Sequence, residues 1–134
     1  MKNLFIVLTS SLITTTSLVA QTPEQLAQTQ LNAYNNRDLE AFLEPYSDTV
    51  KVYNFPNDFR YQGKETMRKN YGGMFERLTD LNCELVNRMV SGNTVIDHER
   101  VLFEKGRPKT EVFALYKIAH GKIQEVYFIR PGVQ

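Results

Sequence analysis

The sequence has no tryptophan, one cysteine and only two histidines. Because Cys83 stands alone, an intramolecular disulfide is excluded, even in an oxidising compartment. His98 and His120 do not form the paired spacing of a zinc site, and no Cys-x-x-Cys motif occurs. We therefore expect neither a metal site nor a cofactor.

Residues 1–20 have the pattern of a secretory signal peptide. Lys2 gives a positive start, residues 4–8 an apolar core, and Ala20 a small residue before the expected cleavage point. The apolar run is shorter than the ~20 residues that a membrane-spanning helix needs. The sequence thus predicts a secreted or periplasmic protein, with residues 21–134 as one mature domain and no membrane partner after cleavage.

Neither sign of charge is in excess in the predicted mature chain. The full sequence has 16 Lys and Arg against 15 Asp and Glu, and Lys2 is the only charged residue in the first twenty. Its removal leaves 15 of each. A balanced charge offers no basic surface for nucleic acid or an anionic membrane, so we expect no nucleic-acid partner.

Apolar spacing predicts helices first and strands afterwards. Thr22-Pro23-Glu24-Gln25 starts the first helix with a capping box, and Asp38 caps a short second one. In the third helix, the Gly72-Gly73 pair weakens the helix and could kink or split it. The expected elements after the second helix are a strand at 48–55, the third helix at 64–78, and strands at 83–90, 94–103, 109–119 and 122–130. Helices followed by consecutive hairpins indicate an α+β fold.

One predicted strand, Val95–Phe103, carries four ionisable residues at its centre. Alternation places Asp97 and Glu99 on one face and His98 and Arg100 on the other. Whichever face points inward takes charge into the protein interior, where an unpaired charge is unfavourable. This stretch is therefore the first candidate for function.

The ordered motifs resemble the nuclear-transport-factor-2-like (NTF2-like) superfamily, often described as SnoaL-like. The likeness rests on Asn36–Phe42 followed by Tyr46-Ser47-Asp48, on Gly63-Lys64-Glu65, and on the ending His120–Val126. The resemblance implies a cone-shaped α+β barrel, with three N-terminal helices on a curved, mostly antiparallel sheet and a pocket between them. Members include isomerases, cyclases, dehydratases, epoxide hydrolases and non-catalytic binding modules, so the fold does not fix the function.

Ketosteroid isomerase is the member whose chemistry the residues argue against. Alignment on the shared motifs places Asn54 at the position of the catalytic Asp, Gln30 at that of the oxyanion Tyr and Ala114 at that of the protonated Asp. An amide cannot act as a base near neutral pH, and alanine has no proton to donate. All three positions depart from what that isomerisation requires.

The same resemblance orients side chains of the last two strands towards the pocket, which would bind a small, largely apolar ligand. Tyr34 and Tyr71 are expected in the core or the pocket wall from their spacing along the helices. Arg130, at the end of the last strand, belongs with this set. The expected ligand-binding residues are Asn54, Tyr34, Tyr71, Val112, Ala114, Tyr116, Val126 and Phe128.

The hairpin register decides which charges enter the pocket. A turn at Gly106-Arg107 would pair Glu99 with Ala114 and Asp97 with Tyr116, and would turn both carboxylates inward. A shift by one residue would exchange them for His98 and Arg100. We favour the first register because it also turns Val95 and Phe103 inward.

Asp97, Glu99 and Arg130 are the catalytic candidates, with His98 as a weaker one. Two carboxylates roughly 7 Å apart on one strand face disfavour simultaneous ionisation, and Arg130 could neutralise one of them. The set is similar to the Asp-Arg-Asp arrangement of limonene-type epoxide hydrolases, although the order of the charges differs. A structural ion-pair network explains the same residues equally well.

Three functions therefore remain open: a non-catalytic ligand-binding protein, which we favour, a small isomerase, dehydratase or epoxide-hydrolase-type enzyme, and an assembly module. The third rests on the outer sheet face, which is apolar enough to be covered by a second copy in a homodimer. The apolar residues expected on that face are Ile96, Leu102, Phe113, Leu115, Tyr127 and Ile129.

Overall fold

The computed structural model describes residues 19–131, which form three helices and one six-stranded sheet. Residues 1–18, most of the predicted signal peptide, lie outside the described residues. The helices are α1 (Pro23–Asn36), α2 (Leu39–Leu43) and α3 (Lys64–Arg77). The strands are β1 (Tyr46–Asn54), β2 (Asp58–Gln62), β3 (Asn82–Ser91), β4 (Thr94–Leu102), β5 (Thr110–Ala119) and β6 (Lys122–Ile129).

The predicted helix starts are confirmed at the level of side-chain hydrogen bonds. The Thr22 hydroxyl accepts a bond from the Gln25 backbone N–H at 3.2 Å, and the Gln25 side chain accepts one from the Thr22 backbone N–H at 2.9 Å. Asp38 accepts a bond from the Ala41 backbone N–H in the same way. These bonds satisfy backbone donors that a helix N-terminus otherwise leaves unpaired.

The Gly72-Gly73 pair does not split α3, which runs continuously from Lys64 to Arg77. A Cβ atom at position 72 would lie 3.2 Å from the Leu39 side chain of α2. Glycine at this position therefore allows α3 to pack closely against α2. The packing of the two helices compensates for the weak helix propensity that the sequence showed.

The strand order in the sheet is β2-β1-β6-β5-β4-β3. All neighbouring pairs are antiparallel except β1 and β6, which run parallel. Strand β2 was not predicted from the sequence, because Pro56-Asn57-Asp58 reads as the end of a strand and β2 is short and largely exposed. This edge strand is held in place by its pairing with β1 and not by burial of its own side chains.

The β4–β5 hairpin has the predicted faces but a different register. Glu99 pairs with Val112 and Asp97 with Ala114, two residues away from the predicted partners. The loop that joins β4 and β5 is centred between residues 105 and 106, one residue earlier than the predicted turn at Gly106-Arg107. Moving a hairpin centre by one residue changes each pairing by two, so every side chain keeps its face. Asp97 and Glu99 accordingly lie on the inner face, with 0% and 6% of their surface exposed.

The core lies between the helices and the inner face of the sheet. Helix α1 packs on β3, β4 and β6, and α3 packs on β1 and β2. The most deeply buried large side chains include Phe42, Leu26, Leu43, Met67 and Ile123. No helix within residues 19–131 has the length and apolar character to cross a membrane.

Candidate functional site

A cavity of about 570 Å³ lies between the helices and the inner face of the sheet. All three helices and all six strands contribute to its wall, so the site depends on the complete fold. The lining residues are Gln30, Leu31, Tyr34, Phe42, Tyr46, Val52, Asn54, Arg60, Tyr61, Thr66, Asn70, Tyr71, Met74, Cys83, Glu99, Val101, Phe103, Val112, Tyr116, Phe128 and Arg130.

Aromatic rings from the three helices and β1 form one wall of the cavity. The Phe42 ring lies at the centre of this cluster, with its centroid 4.4 Å from that of Tyr71 and 5.3 Å from that of Tyr46. Tyr34 meets Phe75 edge to face at 5.5 Å. Tilted and edge-to-face pairs of this kind are favourable and rigid, so the wall is a preformed apolar surface.

Gln30 of α1 connects the aromatic wall to the sheet. Its amide nitrogen donates to the Tyr116 hydroxyl at 3.0 Å, and its amide oxygen accepts from the Tyr46 hydroxyl at 3.2 Å. Burial is the main cause that raises the pKa of the Tyr46 and Tyr116 hydroxyl groups well above 10. Both therefore stay protonated at neutral pH and can serve as hydrogen-bond donors but not as bases.

Among the described residues, Glu99 is the one carboxyl group that lines the cavity. Burial, followed by repulsion from the Asp97 carboxylate, raises the pKa of Glu99 from 4.5 to about 7. The Cys83 thiol, the Arg88 charge and the Tyr116 hydroxyl oppose this rise. A carboxyl group with a pKa near neutrality exists in both protonation states, which is the property that general acid–base catalysis requires.

Cys83 lies beside Glu99 in the cavity wall. Burial and the neighbouring Glu99 raise the pKa of its thiol far above the ordinary value. Since the thiolate is the reactive form, this cysteine is a weak nucleophile and a weak donor to the carboxylate.

Asp97 does not line the cavity, although it faces inward. Both of its oxygens accept hydrogen bonds from Arg88, at 2.7 and 2.8 Å, and Arg88 also donates to the Gln28 side chain at 2.9 Å. The aspartate is completely buried and the arginine side chain is 8% exposed. A bidentate pair of this kind fixes β3 on β4 and leaves Asp97 without a free oxygen for chemistry. The expected partner of the two carboxylates, Arg130, lies instead at the edge of the cavity and is exposed.

His98 lies on the outer face of the sheet, away from the cavity. Its ring stacks on Phe113 with a centroid separation of 4.4 Å, and its Nε2 atom is 3.7 Å from a Glu111 oxygen. Its ring is therefore held against Phe113 of the neighbouring strand β5. It has no access to the groups that line the cavity.

Six of the eight predicted ligand-binding residues line the cavity; whether they bind a ligand stays a prediction. Ala114 and Val126 face inward but do not line the cavity, and both belong to the buried hydrophobic core. The six residues at the wall are Asn54, Tyr34, Tyr71, Val112, Tyr116 and Phe128.

The sequence analysis did not predict the Arg88–Asp97 pair or the contribution of Arg60 and Tyr61 to the cavity wall. For the first of these, the sequence contains a signal. Counting back from a tight turn at Gly92-Asn93 pairs Arg88 with Asp97, which is the observed register. Arg60 and Tyr61 were missed because the strand that carries them was not predicted. Their place in the wall depends on pairing with β1 and could not be found from local pattern.

The comparison with family models gives the assignment that the geometry alone leaves open. The model described as "SnoaL-like domain" matches residues 27–126. The chain belongs to the SnoaL-like family. All the cavity-lining residues except Phe128 and Arg130 fall within the match.

Solved structures confirm the fold of this SnoaL-like protein. An uncharacterised cystatin-fold protein from Novosphingobium aromaticivorans has a TM-score of 0.75 and 25% identity, over 82% of this chain and 99% of that one. An NTF2-like protein of unknown function from Cytophaga hutchinsonii has a TM-score of 0.69 and 16% identity, over 84% and 92%. The predicted NTF2-like resemblance and the cone-shaped α+β architecture are thus confirmed.

One further neighbour carries an enzymatic description. The LEH-like epoxide hydrolase of M. tuberculosis has a TM-score of 0.63 and 13% identity, with 80% of each chain covered. No curated protein sequence matches this chain significantly. At such identities the likeness shows the fold alone, because one fold supports many chemistries. Within residues 19–131, no group of three or more His, Cys, Asp or Glu side chains is placed to hold a metal ion.

The raised pKa of Glu99 predicts a specific pH dependence of stability. Glu99 binds its proton more tightly in the folded protein than in the unfolded chain. Its contribution to the free energy of unfolding is therefore fully present below about pH 4.5 and is lost as the pH rises through about 7. The free energy of unfolding of Glu99→Gln, relative to that of wild type, should therefore increase by on the order of 3 kcal/mol as the pH rises from 4.5 to about 7, at about 1.4 kcal/mol per pH unit. Urea unfolding at several pH values measures this gain.

Glu76→Gln is the matched control, since Glu76 is exposed on α3. Its stability difference from wild type should stay within about 0.5 kcal/mol at every pH. A pH-independent difference for Glu99→Gln would show that the Glu99 pKa is not raised in the folded protein.

Proposed function

We propose that this SnoaL-like protein binds a small, largely apolar molecule in the cavity between helices and sheet. The observation that carries the proposal is the cavity itself, of about 570 Å³, with an aromatic wall and a few polar groups that converge on it. Its volume lies within the range of roughly 300 to 1,000 Å³ that is typical of ligand sites.

The polar groups indicate what such a ligand would present inside the cavity. Glu99 and Tyr116 lie together on the sheet, and Gln30 holds the Tyr116 hydroxyl from the opposite side. A ligand hydroxyl, amine or carbonyl placed here would satisfy these groups. The remainder of the molecule would contact aromatic and aliphatic side chains, which is why an apolar ligand is favoured.

A non-catalytic role fits the residues better than enzymatic activity does. Gln30 and Asn54 are amides in the cavity wall, and Ala114 lies in the core, so the acid and base of a ketosteroid isomerase have no counterparts at these positions. Asp97 is held by Arg88 and is not available as a second carboxylate.

One observation favours a second candidate, an isomerase, dehydratase or epoxide-hydrolase-type enzyme. Glu99 has a pKa of about 7 inside a cavity, and strongly perturbed carboxyl groups in cavities are frequent at catalytic sites. In this reading Glu99 alone would carry the proton, since Asp97 lies in the ion pair and Arg130 at the edge of the cavity.

Ligand retention tests the main proposal. Native mass spectrometry of the purified protein should show a bound small molecule, or its uptake from a lipid and metabolite extract. Val112→Trp, which fills the cavity beside Glu99, should reduce the bound fraction at least tenfold. Val86→Trp, on the exposed part of β3, should leave it unchanged. Absence of uptake by the wild type would contradict the proposal.

The same bound molecule separates a carrier from an enzyme. Chromatography before and after incubation with the wild type should show an unchanged compound if the protein only binds. Conversion by the wild type and by Glu76→Gln, but not by Glu99→Gln, would establish the second candidate.

We propose further that the protein is a homodimer through the outer face of its sheet. On this face one apolar side chain from each strand forms a continuous cross-strand row, which we call the outer-face row. It consists of Met89, Ile96, Leu115, Tyr127, Tyr53 and Phe59. The end residues Met89 and Phe59 are 58% and 54% exposed. A continuous apolar surface of this extent is typical of an interface, and a two-fold axis would cover it with itself.

Leu115→Lys, near the middle of the outer-face row, should dissociate the dimer because burying an unpaired charge is strongly unfavourable. Sedimentation velocity should then show half the wild-type mass. Val90→Lys is the control. Val90 is exposed, and it lies on the opposite face of the sheet from the outer-face row because its cross-strand partner, Val95, faces inward. A wild type that is monomeric at all concentrations would exclude this interface.

We also propose that the chain is exported, which is supported by the signal-peptide pattern of residues 1–20. Expression of the full sequence in a bacterial host should yield periplasmic or secreted protein that starts at Gln21, as measured by intact mass. A cytoplasmic product that retains residues 1–20 would contradict export.

A further inference from the structure

Glu99 lines the cavity as a buried carboxyl group without a cation in contact. No Lys, Arg or His side chain of residues 19–131 lies within 4.0 Å of its oxygens. Arg88, on the neighbouring strand β3, donates instead to both oxygens of Asp97. A buried carboxylate without a positive partner is unfavourable, and a ligand of opposite charge relieves this.

The hydrogen bonds around Gln30 run in one direction. The Ala27 carbonyl oxygen can only accept, and it accepts from the Gln30 amide nitrogen at 3.1 Å, which fixes the orientation of this amide. The same nitrogen donates to the Tyr116 hydroxyl at 3.0 Å, and the amide oxygen accepts from the Tyr46 hydroxyl at 3.2 Å. Because the Tyr116 oxygen accepts from Gln30, its own proton is free to be donated to Glu99.

Two neutral donors act on the Glu99 carboxyl group, the Tyr116 hydroxyl and the Cys83 thiol. Each lowers the pKa of Glu99 as a hydrogen-bond donor, although burial and then the Asp97 charge still raise it to about 7. An ionised carboxylate has about four acceptor positions, so about two of them remain for a ligand. The Glu99 site is therefore an acceptor that the protein supplies with neutral donors but not with a positive charge.

The other titratable side chains that face Glu99 are tyrosines from three further elements. They are Tyr34 of α1, Tyr46 of β1 and Tyr71 of α3, and all three line the cavity. Burial, and to a smaller extent the Glu99 charge, raises the pKa of each hydroxyl group far above its ordinary value. These phenols stay neutral at physiological pH, so none of them adds a competing charge near Glu99.

Two arginines, Arg60 and Arg130, line the same cavity without neutralising Glu99. Both residues are exposed, whereas Glu99 is buried. Solvent and salt screen the charge of an exposed guanidinium much more than that of a buried carboxylate. The arginines therefore oppose an incoming cation only weakly.

We propose that the ligand of this cavity carries a protonated amine that pairs with the Glu99 carboxylate, and that its hydrocarbon part lies against the aromatic wall. The inference rests on the proposed ligand-binding function and specifies the ligand class. An ammonium group brings three donors and the missing positive charge, whereas a hydroxyl group brings one donor and no charge. A carbonyl group can only accept, so it fits poorly at a carboxylate that itself accepts from Tyr116 and Cys83.

Three probes of equal chain length test the inference by calorimetry: octylamine, octanol and octanoate. At pH 8 the wild type should bind octylamine at least about tenfold more tightly than octanol or octanoate, because only the amine neutralises Glu99. The affinity for octylamine should fall about tenfold from pH 8 to pH 6, since binding must then displace the Glu99 proton. The affinity for octanol should change less than about twofold over the same range.

Glu99→Gln should bind octylamine no more tightly than octanol and should lose the pH dependence, because the amide cannot ionise. Its affinity for octanol should stay within about twofold of the wild-type value. Glu76→Gln, on the exposed side of α3, should keep both the amine preference and its pH dependence. The pH profile of the wild type gives the same test without any substitution.

The outcomes separate the inference from the function on which it rests. Equal binding of octylamine and octanol at pH 8, tightest binding of octanoate, or an amine preference that survives Glu99→Gln would overturn the amine assignment and leave the ligand-binding function intact. Failure of all three probes to bind would contradict the apolar-ligand function as well.

Discussion

The inner face of β4 carries two buried carboxyl groups, Asp97 and Glu99, and the rest of the site depends on how their charge is accommodated. Arg88 pairs with Asp97 through two short hydrogen bonds and can neutralise only one of them. Glu99 is left without a cation in contact, and its pKa rises because burial and the Asp97 charge both oppose ionisation. One carboxylate therefore fixes the sheet, and the other becomes a titratable group in the cavity.

Apolar and polar side chains line different parts of the cavity. Its aromatic wall is rigid because rings from α1, α2, α3 and β1 pack on each other, and Gln30 locks this wall to Tyr116 of β5. Polarity then increases towards the edge, where Asn54, Arg60 and Arg130 lie. The proposal that this cavity binds a small, largely apolar molecule rests on this distribution of apolar and polar side chains.

Local pattern predicted most of the secondary structure but not the partners of the charged residues. The caps at Thr22 and Asp38 follow from local motifs and are confirmed. The inward orientation of Asp97 and Glu99, which was inferred from the family resemblance and a hairpin register, is confirmed although the register differs by two residues. The assignment of Arg130 as their counter-ion was not matched by the structure, because partner choice depends on strand order. Ala114 and Val126 likewise face inward but belong to the buried core and not to the cavity wall, a distinction that alternation along a strand does not make.

By itself the sequence determined the α+β class, the helix starts, which residues share a face of each predicted strand, and the family resemblance. These properties depend on residue spacing of two or 3.6 and on short hydrogen-bonded motifs, which are local. Only the tertiary structure decided that Glu99 lines the cavity while Asp97 does not, that burial raises the pKa of Glu99, and that Arg60 of the unpredicted strand β2 contributes to the cavity wall. These depend on distances between residues far apart in the chain, which strand order, register and helix packing set together.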